Sequence, residues 1–315
     1  MDDLRRYMDR ARGPGEEVSR IGAGRAAILL VGACLMFLTG SLALADDREL
    51  DPDRIEFVIG NATFVALHEF AHAVIEDFGV PVLGNGEDAA DTLAAVSLIR
   101  RDRADPTADF RYILMLLTAA DANQILWKRG LERDNPVVYL ARHPLSVQRA
   151  ARIACLAYGS DPESLEPLPG MVGLPEFRAD WCEEEYAAAE RAWLWVRESY
   201  MHKVPGTVSE HSFYYGPARD ENTEFVRSWL VDNQALERML VYVGRTILLE
   251  DAVTLTTRSC GSPDAYWDGN TRELIVCYEL IEAFYQLSEE QSIKQLEENI
   301  RRFHRDNNDD NENRP

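Results

Sequence analysis

The sequence lacks an excess of basic residues. It contains 33 Lys and Arg against 54 Asp and Glu, which gives a formal net charge of −21 at pH 7. Proteins that bind nucleic acid or an anionic membrane surface use basic groups to replace counterions. The composition therefore argues against nucleic acid or such a surface as the main partner. A surplus of carboxylates suits a divalent cation or a basic substrate, although it more often serves solubility alone.

Three motifs are also missing from the sequence. It contains neither a P-loop nor a GxGxxG sequence, so no glycine-rich loop is available to bind phosphate. The absence of GxSxG removes support for a serine hydrolase of that type. No two cysteines have the CxxC spacing, which argues against a zinc site built from cysteines.

The first 45 residues differ in character from the rest of the chain. Residues 1–25 are polar and arginine-rich, and an uninterrupted apolar run extends from residue 26 to Ala45. The run ends in Ala43-Leu44-Ala45, and acidic residues follow. A charged leader, an apolar core and an A-x-A end are typical of a secretory signal peptide, here cleaved after Ala45. The alternative is an uncleaved membrane anchor, since about 20 apolar residues can span a bilayer.

Both alternatives predict export to the periplasm or out of the cell, with a membrane as partner only if residues 26–45 remain as an anchor. A chain of 315 residues with 46% hydrophobic content can bury a sizeable core. We expect residues 46–305 to form the folded domain. The sequence DNNDDNENRP at 306–315 is too polar to pack and is expected to be disordered.

Four cysteines follow the apolar run, which itself contains Cys34. An even number of cysteines in an exported protein indicates two disulfides. Of the three pairings that are possible, we favour Cys155–Cys182 and Cys260–Cys277, because each joins neighbouring elements through a short loop. On a chain-entropy model each closure would contribute about 3 kcal/mol.

The hydrophobic pattern predicts an α+β fold, with a predominantly helical body and a small antiparallel sheet. Residues 54–59 (RIEFVI) predict a short strand ended by Gly60, and Asn61 is a plausible cap for the helix that follows. That helix extends to Gly79. Further helices are predicted at 87–100, 110–129, 145–158, 175–200, 223–246 and from 279, and strands at 206–215, 252–257, 265–267 and 273–278, the last two joined as a hairpin through Asp268-Gly269-Asn270.

One segment of the long helix carries the HExxH sequence, from His68 and Glu69 to His72. Residues i and i+4 of a helix project from the same face, so both imidazoles can bind one Zn²⁺. The glutamate is not a ligand, but its carboxylate can take a proton from a zinc-bound water and pass it to the leaving amine. Zinc lowers the pKa of that water to about 7. The motif therefore predicts zinc-dependent hydrolysis of peptide bonds by a zincin-like helix, and the alternative is a histidine pair without a metal.

A third protein ligand is expected from the next helix. Ile75 and Phe78 occupy the positions where HExxHxxGxxH requires Gly and His, which excludes that class. Glu87 and Asp91 instead form the ExxAD pattern of gluzincins, in which the glutamate is the third ligand and the aspartate fixes the tautomer of a ligand histidine. We favour Glu87 as the ligand, with Asp88 as the second candidate. An acidic helix start is also favoured by the helix dipole alone.

The sequence also resembles a little-characterised bacterial family of metallopeptidase-like proteins over about residues 50–290. The resemblance is carried by HEFAHAVIEDFGVPVLGNGEDAAD, HPLSVQRAARIACLAYGSDP and CGSPDAYWDGNTRELIVCYEL. It implies a gluzincin-type site in which His68, His72 and Glu87 bind zinc, Glu69 is the general base and acid, and a peptide or protein is the substrate. The sequence PDAYWD stands where an Asn-Ala pair is usual, so Asp264 is expected to alter substrate binding if that segment lines the cleft.

The residue that stabilises the developing oxyanion is open between Tyr266, Tyr278, His211 and His143. The strand at 206–215 or the C-terminal hairpin could offer an edge to an extended peptide. Two other functions use the same ligands. One is an exported zinc-binding protein without turnover, a pseudo-peptidase or scaffold, and the other is a zinc hydrolase that acts on a different bond.

Overall fold

The structure is a computed structural model that describes residues 52–133, 143–201, 210–249 and 251–312. The predicted signal or anchor segment, residues 1–45, lies outside the described residues. In the described part, eleven α-helices surround one four-stranded sheet, which confirms an α+β fold with a predominantly helical body. The helices are α1 Pro52–Phe78, α2 Gly86–Ala104, α3 Arg111–Glu132, α4 Ser146–Ser160, α5 Leu168–Met171, α6 Glu176–Ala179, α7 Cys182–Met201, α8 Glu221–Asn233, α9 Ala235–Thr246, α10 Tyr278–Leu287 and α11 Ile293–Glu312, and the strands are β1 Ser212–Tyr215, β2 Thr254–Arg258, β3 Ala265–Asp268 and β4 Glu273–Cys277.

Helix α1 is the centre of the fold. It contacts α2, α3, α9, α10 and the β3–β4 hairpin, and Phe57, Phe64 and Phe70 are fully buried along it. Among the described helices, α1 alone is long and apolar enough to cross a bilayer, but 78% of its apolar window is buried inside the fold. A helix that is apolar on all sides is expected at the core of a large domain, and this burial accounts for its composition.

The strand predicted for residues 54–59 is wrong, because these residues form the start of α1. Gly60 and Asn61 lie inside the helix rather than at its start. A Cβ at Gly60 would overlap Thr118 Oγ1 and would lie 2.9 Å from the Met115 carbonyl oxygen, so glycine permits close approach of α3. Asn61 Nδ2 donates to the carbonyl oxygens of Phe57 and Thr118, at 2.9 and 3.1 Å. Both residues serve helix packing, which a short apolar run does not reveal.

The sheet is mixed, which corrects the prediction of an antiparallel sheet. Its strand order is β1-β2-β4-β3, with β1–β2 and β2–β4 parallel and only β3–β4 antiparallel. Helices α8 and α9 connect β1 to β2, and a helical crossover returns the chain in the same direction. The predicted hairpin is present, with Ala265 opposite Val276 and Asp268 opposite Glu273. Strand β3 is therefore an edge strand of the described sheet.

Three of the predicted helices are interrupted, and the one predicted from 279 is divided into α10 and α11. The single helix predicted over 223–246 is α8 followed by α9, because Gln234 adopts a left-handed conformation with φ 51° between them. The change of direction lets Leu236, Met239 and Val243 reach the core. The helix predicted over 175–200 is likewise divided into α6 and α7. Neither the break at Gln234 nor the one between α6 and α7 coincides with a proline or glycine in the sequence.

Two disulfides join the pairs favoured from the sequence. Cys155 of α4 bonds to Cys182 at the start of α7, and Cys260 after β2 bonds to Cys277 at the end of β4. The first holds two helices together, and the second ties the start of the loop before β3 to the strand on which β3 pairs. Disulfides are typical of extracellular and periplasmic proteins.

Helix α11 continues to Glu312 and so includes residues 306–312, for which the composition predicted disorder. Leu296 and Ile300 bury the first turns of the helix against the core. Once a helix has been started by such contacts, each further residue adds a hydrogen bond at little cost, and a polar sequence can continue it.

The packing of α1 on α3 predicts a different response from two glycines. Gly60→Ala should lower the free energy of unfolding by about 1–3 kcal/mol, because the added methyl overpacks a filled helix contact. Gly130→Ala, inside α3 and with nothing within 4 Å of the added Cβ, is the matched control. It should be neutral or stabilising by up to about 1 kcal/mol through helix propensity. Urea denaturation of both variants measures the difference, and equal midpoints would contradict the proposed contact.

Candidate metal centre

The loop of residues 79–85 places the first turn of α2 beside the C-terminal half of α1. Gly79 follows α1 with φ 56°, a left-handed conformation that glycine adopts without strain. Asn85 caps α2, because its side-chain oxygen accepts a hydrogen bond from the Glu87 amide at 3.0 Å. The cap sets where α2 begins and so directs Glu87, in the first turn, towards α1.

Three predicted ligand atoms converge between these helices and form a triangle: His68 Nε2, His72 Nε2 and Glu87 Oε2. His68 Nε2 lies 3.2 Å from His72 Nε2. Glu87 Oε2 lies 3.2 Å from His68 Nε2 and 3.4 Å from His72 Nε2. His68 and Glu87 are each only 2% exposed, so the triangle is largely hidden from solvent. The structure thus brings together all three residues that the sequence predicted as ligands.

The chemistry of these donors fits a divalent metal. His68 Nδ1 lies 2.8 Å from Asp91 Oδ1, and a carboxylate there requires the ring proton on Nδ1. His68 Nε2 therefore directs its lone pair towards a carboxylate oxygen and a second imidazole. Hydrogen-bond acceptors repel one another at this distance unless a positive charge lies between them. Ligand atoms about 2.0 Å from a tetrahedral zinc ion lie about 3.3 Å apart, close to the sides of this triangle.

The electrostatics of the triangle also favour a positive charge between its atoms. Burial disfavours a proton on His68, but the hydrogen bonds to Asp91 and Glu87 outweigh it and raise the pKa of His68 to about 9. The hydrogen bond to His68 in turn lowers the pKa of Glu87 to about 2. The buried carboxylates thus hold a proton at this position when no metal is bound, and metal binding would displace it.

Asp91 is held by a residue that the sequence analysis did not identify. Arg149 of α4 donates from Nε and Nη2 to the two carboxylate oxygens of Asp91, at 2.8 and 2.6 Å. The pKa of Asp91 is lowered, since its hydrogen bond to His68 and the arginine charge outweigh its burial. Arg149 lies within the segment HPLSVQRAARIACLAYGSDP, but a single arginine on a helix gave no sign of its partner.

Asp88, the second candidate for the third ligand, lies outside the triangle. Its carboxylate accepts a hydrogen bond from Arg152 Nη1 on α4. One residue along a helix rotates a side chain by about 100°, so Asp88 and Glu87 point to different sides of α2. The structure therefore favours Glu87 over Asp88 as the third ligand.

Glu69 lies beside the triangle as a buried carboxylate, 7% exposed. Burial raises its pKa, while the charge of His68 and a hydrogen bond from the Trp267 backbone amide partly oppose the rise. Trp267 belongs to β3, so the hairpin holds the carboxylate that the sequence predicted as general base. This contact between α1 and β3 was not evident from the sequence.

The triangle opens into a cleft of about 450 Å³ between α1, α2 and the hairpin. Ala265, Tyr266 and Trp267 of the PDAYWD segment line the cleft. Asp264 itself accepts a hydrogen bond from the Ala265 amide at 2.9 Å and is not a wall residue. The described residues that line the cleft are Glu69, His72, Ile75, Glu76, Gly86, Glu87, His143, Ala265, Tyr266 and Trp267.

A family model with the description "Putative metallopeptidase" matches residues 32–196 and 215–307. The chain belongs to the DUF4344 family. The matched ranges contain the triangle, Glu69 and the hairpin. No curated protein and no solved structure matches the chain significantly. Family membership supports metal-dependent hydrolysis and thus a peptide or protein substrate, without identifying the metal.

Two of the four candidates for oxyanion stabilisation line the cleft of this DUF4344 protein. His143 Nδ1 lies 3.1 Å from Glu87 Oε2, and the Tyr266 hydroxyl accepts a hydrogen bond from Arg258 Nη2 at 3.1 Å. The other two have structural contacts elsewhere. Tyr278 is buried and donates to the Gly216 carbonyl oxygen, and His211 Nδ1 accepts from the Val253 amide.

Adjacent residues of α2 provide a test of the metal site. Glu87→Gln should abolish binding of Zn²⁺, because it removes the anionic ligand, whereas Asp88→Asn should bind zinc as the wild type does. Isothermal titration of the metal-free proteins with zinc, together with metal analysis after dialysis, measures both. Loss of binding in Asp88→Asn with retention in Glu87→Gln would reverse the assignment.

Proposed function

We propose that this protein is a zinc peptidase in which His68, His72 and Glu87 hold the metal and Glu69 is the general base and acid. The single observation that carries the proposal is the convergence of three lone-pair atoms within 3.2–3.4 Å beside a buried carboxylate. A bound zinc ion would act as a Lewis acid that polarises the substrate carbonyl and acidifies water.

The protein residues around the triangle have positioning and proton-transfer roles in this proposal. Asp91, held by Arg149, keeps the proton on His68 Nδ1 and so keeps Nε2 available as a ligand. Glu69, held by the Trp267 amide, is placed to accept a proton from the attacking water and to deliver it to the leaving amine. In this proposal Glu87 binds the metal and Glu69 transfers the proton.

Strand β3 supports a peptide as the substrate. The Cys277 amide donates to the Asp264 carbonyl oxygen at 3.0 Å, so alternate residues of β3 exchange hydrogen bonds with β4. By that alternation the backbone groups of Ala265 and Trp267 point away from β4 and towards the cleft that both residues line. The Ala265 amide donates to Asp264 and the Trp267 amide to Glu69, so the two carbonyl oxygens are the groups that a peptide could use. An extended peptide could donate to these oxygens, which fixes its backbone without requiring a particular sequence.

Tyr266 is the better placed of the two oxyanion candidates. It lies on the edge strand β3, and its hydroxyl accepts a hydrogen bond from Arg258, which leaves the hydroxyl proton for donation to a substrate bound along that edge. His143 is turned towards Glu87 instead. We therefore assign the developing negative charge to Tyr266 in this mechanism.

We also propose that the protein acts after export, in the periplasm or outside the cell. The disulfides Cys155–Cys182 and Cys260–Cys277 are stable in an oxidising compartment. The apolar run at 26–45 would serve as the signal peptide or the membrane anchor.

Replacing the general base separates a peptidase from a zinc-binding protein without turnover. Glu69→Gln should lower kcat on casein or on a peptide library by at least about 100-fold, the usual contribution of a general base. Its zinc content should equal that of the wild type. Glu184→Gln, an exposed glutamate of α7, is the charge-matched control and should retain full activity. Wild-type protein that holds zinc but cleaves no peptide bond would reject the proposal.

Removing the Tyr266 hydroxyl should affect turnover rather than binding. Tyr266→Phe should lower kcat by about 100-fold with little change in KM, because the lost hydrogen bond forms in the transition state. Steady-state kinetics on one cleaved peptide measures both constants. An unchanged kcat would remove Tyr266 from the mechanism and leave His143 to be tested in the same way.

A further inference from the structure

The cleft contains a third carboxylate that the proposed mechanism does not use. Glu76 lines the same cavity as Glu69 and Glu87, and it is exposed within it. In the proposed mechanism Glu87 binds the metal and Glu69 transfers protons, which leaves the charge of Glu76 without an assigned role. None of the described residues lining the cleft is Lys or Arg. The cleft wall at Glu76 is therefore negatively charged.

Glu76 is held in place by the hairpin. Its Oε2 accepts a hydrogen bond from Trp267 Nε1 at 2.5 Å. A Cβ on Gly269, in the turn of the hairpin, would lie 2.6 Å from Glu76 Oε1, so the turn packs directly on the carboxylate. A fixed carboxylate loses less entropy when it binds a cation than a mobile surface glutamate does.

Trp267 relates Glu76 to the reaction centre. Its backbone amide hydrogen-bonds Glu69 while its indole hydrogen-bonds Glu76, so one residue of β3 contacts both carboxylates. Seven residues separate these glutamates on α1, which is about two helical turns, and places them on one face about 10 Å apart along the axis. A peptide along β3 would pass Glu69 at its scissile bond and Glu76 further along.

Arg272 lies close enough for its charge to interact with that of Glu76, but it does not pair with Glu76 directly. Arg272 donates from Nη1 and Nη2 to the two carboxylate oxygens of Asp77, at 2.8 and 2.7 Å. It also donates to the Asp251 carbonyl oxygen. The planar guanidinium is therefore engaged with its own partner in a two-bond pair, and the charge of Glu76 remains available to a ligand.

We propose that Glu76 selects peptide substrates that carry a lysine or arginine near the scissile bond. This inference rests on the proposed peptidase function. An extended peptide advances about 3.4 Å per residue, so Glu76 lies level with the third residue from the bond that Glu69 serves. The long side chain of a basic residue also reaches it from the second position, and the preference is confined to one side of the scissile bond.

Substrate profiling with charge variants tests the selection. The probe is a set of peptides with Lys, Arg, Gln or Glu at each of the three positions on either side of a common cleavage site. The wild type should cleave its preferred Lys or Arg peptide about tenfold faster, in kcat/KM, than the Gln peptide, the value of a hydrogen bond to a charged group. Glu76→Gln keeps the acceptor for Trp267 Nε1 and should abolish the preference, so that this variant cleaves the Lys, Arg and Gln peptides with equal kcat/KM.

Charge reversal and a remote control complete the test. Glu76→Lys should prefer the Glu peptide at the same position, and Glu184→Gln should keep the wild-type preference. Higher salt should reduce the wild-type preference, because an ion pair in an open cleft is screened. A wild-type enzyme that cleaves all the peptides equally, or a Glu76→Gln enzyme that still prefers Lys and Arg, would overturn the inference while leaving the peptidase proposal intact.

A binding measurement distinguishes this failure from failure of the peptidase proposal. Zinc-loaded Glu69→Gln protein should bind the Lys peptide about tenfold more tightly than the Gln peptide in isothermal titration, and the Glu69→Gln, Glu76→Gln double variant should bind both equally. If the wild type cleaves nothing, both proposals fail as statements about catalysis, even where the Lys peptide is bound selectively. If it cleaves but binds both peptides equally, only the selection by Glu76 fails.

Discussion

A buried hydrogen-bonded chain from Arg149 through Asp91 to His68 is the interaction on which the site depends. It connects α4, α2 and α1 and sets the ring proton of His68, so that the other nitrogen faces Glu87 and His72. Burying a carboxylate without partners would be strongly unfavourable, and the arginine and imidazole satisfy both of its oxygens. The ion pair of Arg149 with Asp91 thus fixes the orientation of the His68 ring from the side opposite to the triangle.

The hairpin forms the opposite wall of the cleft and is attached to α1 at several points. Asp77 pairs with Arg272, Glu76 accepts from the Trp267 indole, and Glu69 accepts from the Trp267 amide. The Cys260–Cys277 disulfide closes the segment that contains β3. Strand β3 and the Glu69 carboxylate are therefore held by one short stretch of chain. Under the proposed function this connection would make the position of the substrate and that of the general base interdependent.

The sequence predicted the local parts of this arrangement and missed its long-range parts. The helix over 61–78, the HExxH spacing, the ExxAD helix and the β3–β4 hairpin depend on neighbouring residues, and the structure contains each of them. The parallel pairing of β1 and β2, the break at Gln234 and the helical form of 54–59 depend on residues far away in the chain. Residues 54–59 illustrate the reason. Their short apolar pattern fits either a strand or a helix, and the contacts of α1 with α3 and α10 favour the helix.

By itself, the sequence determined that His68 and His72 project from one face of a helix, with Glu69 next to the first of them. The reason is that a helix repeats every 3.6 residues whatever surrounds it. It also restricted the third ligand to the start of the next helix. Only the tertiary structure showed that Glu87 faces the two histidines while Asp88 faces Arg152, that Arg149 holds Asp91, and that Trp267 lies between two carboxylates. Those outcomes depend on how α1, α2, α4 and the hairpin pack, and packing arises from contacts between residues that the chain order keeps apart.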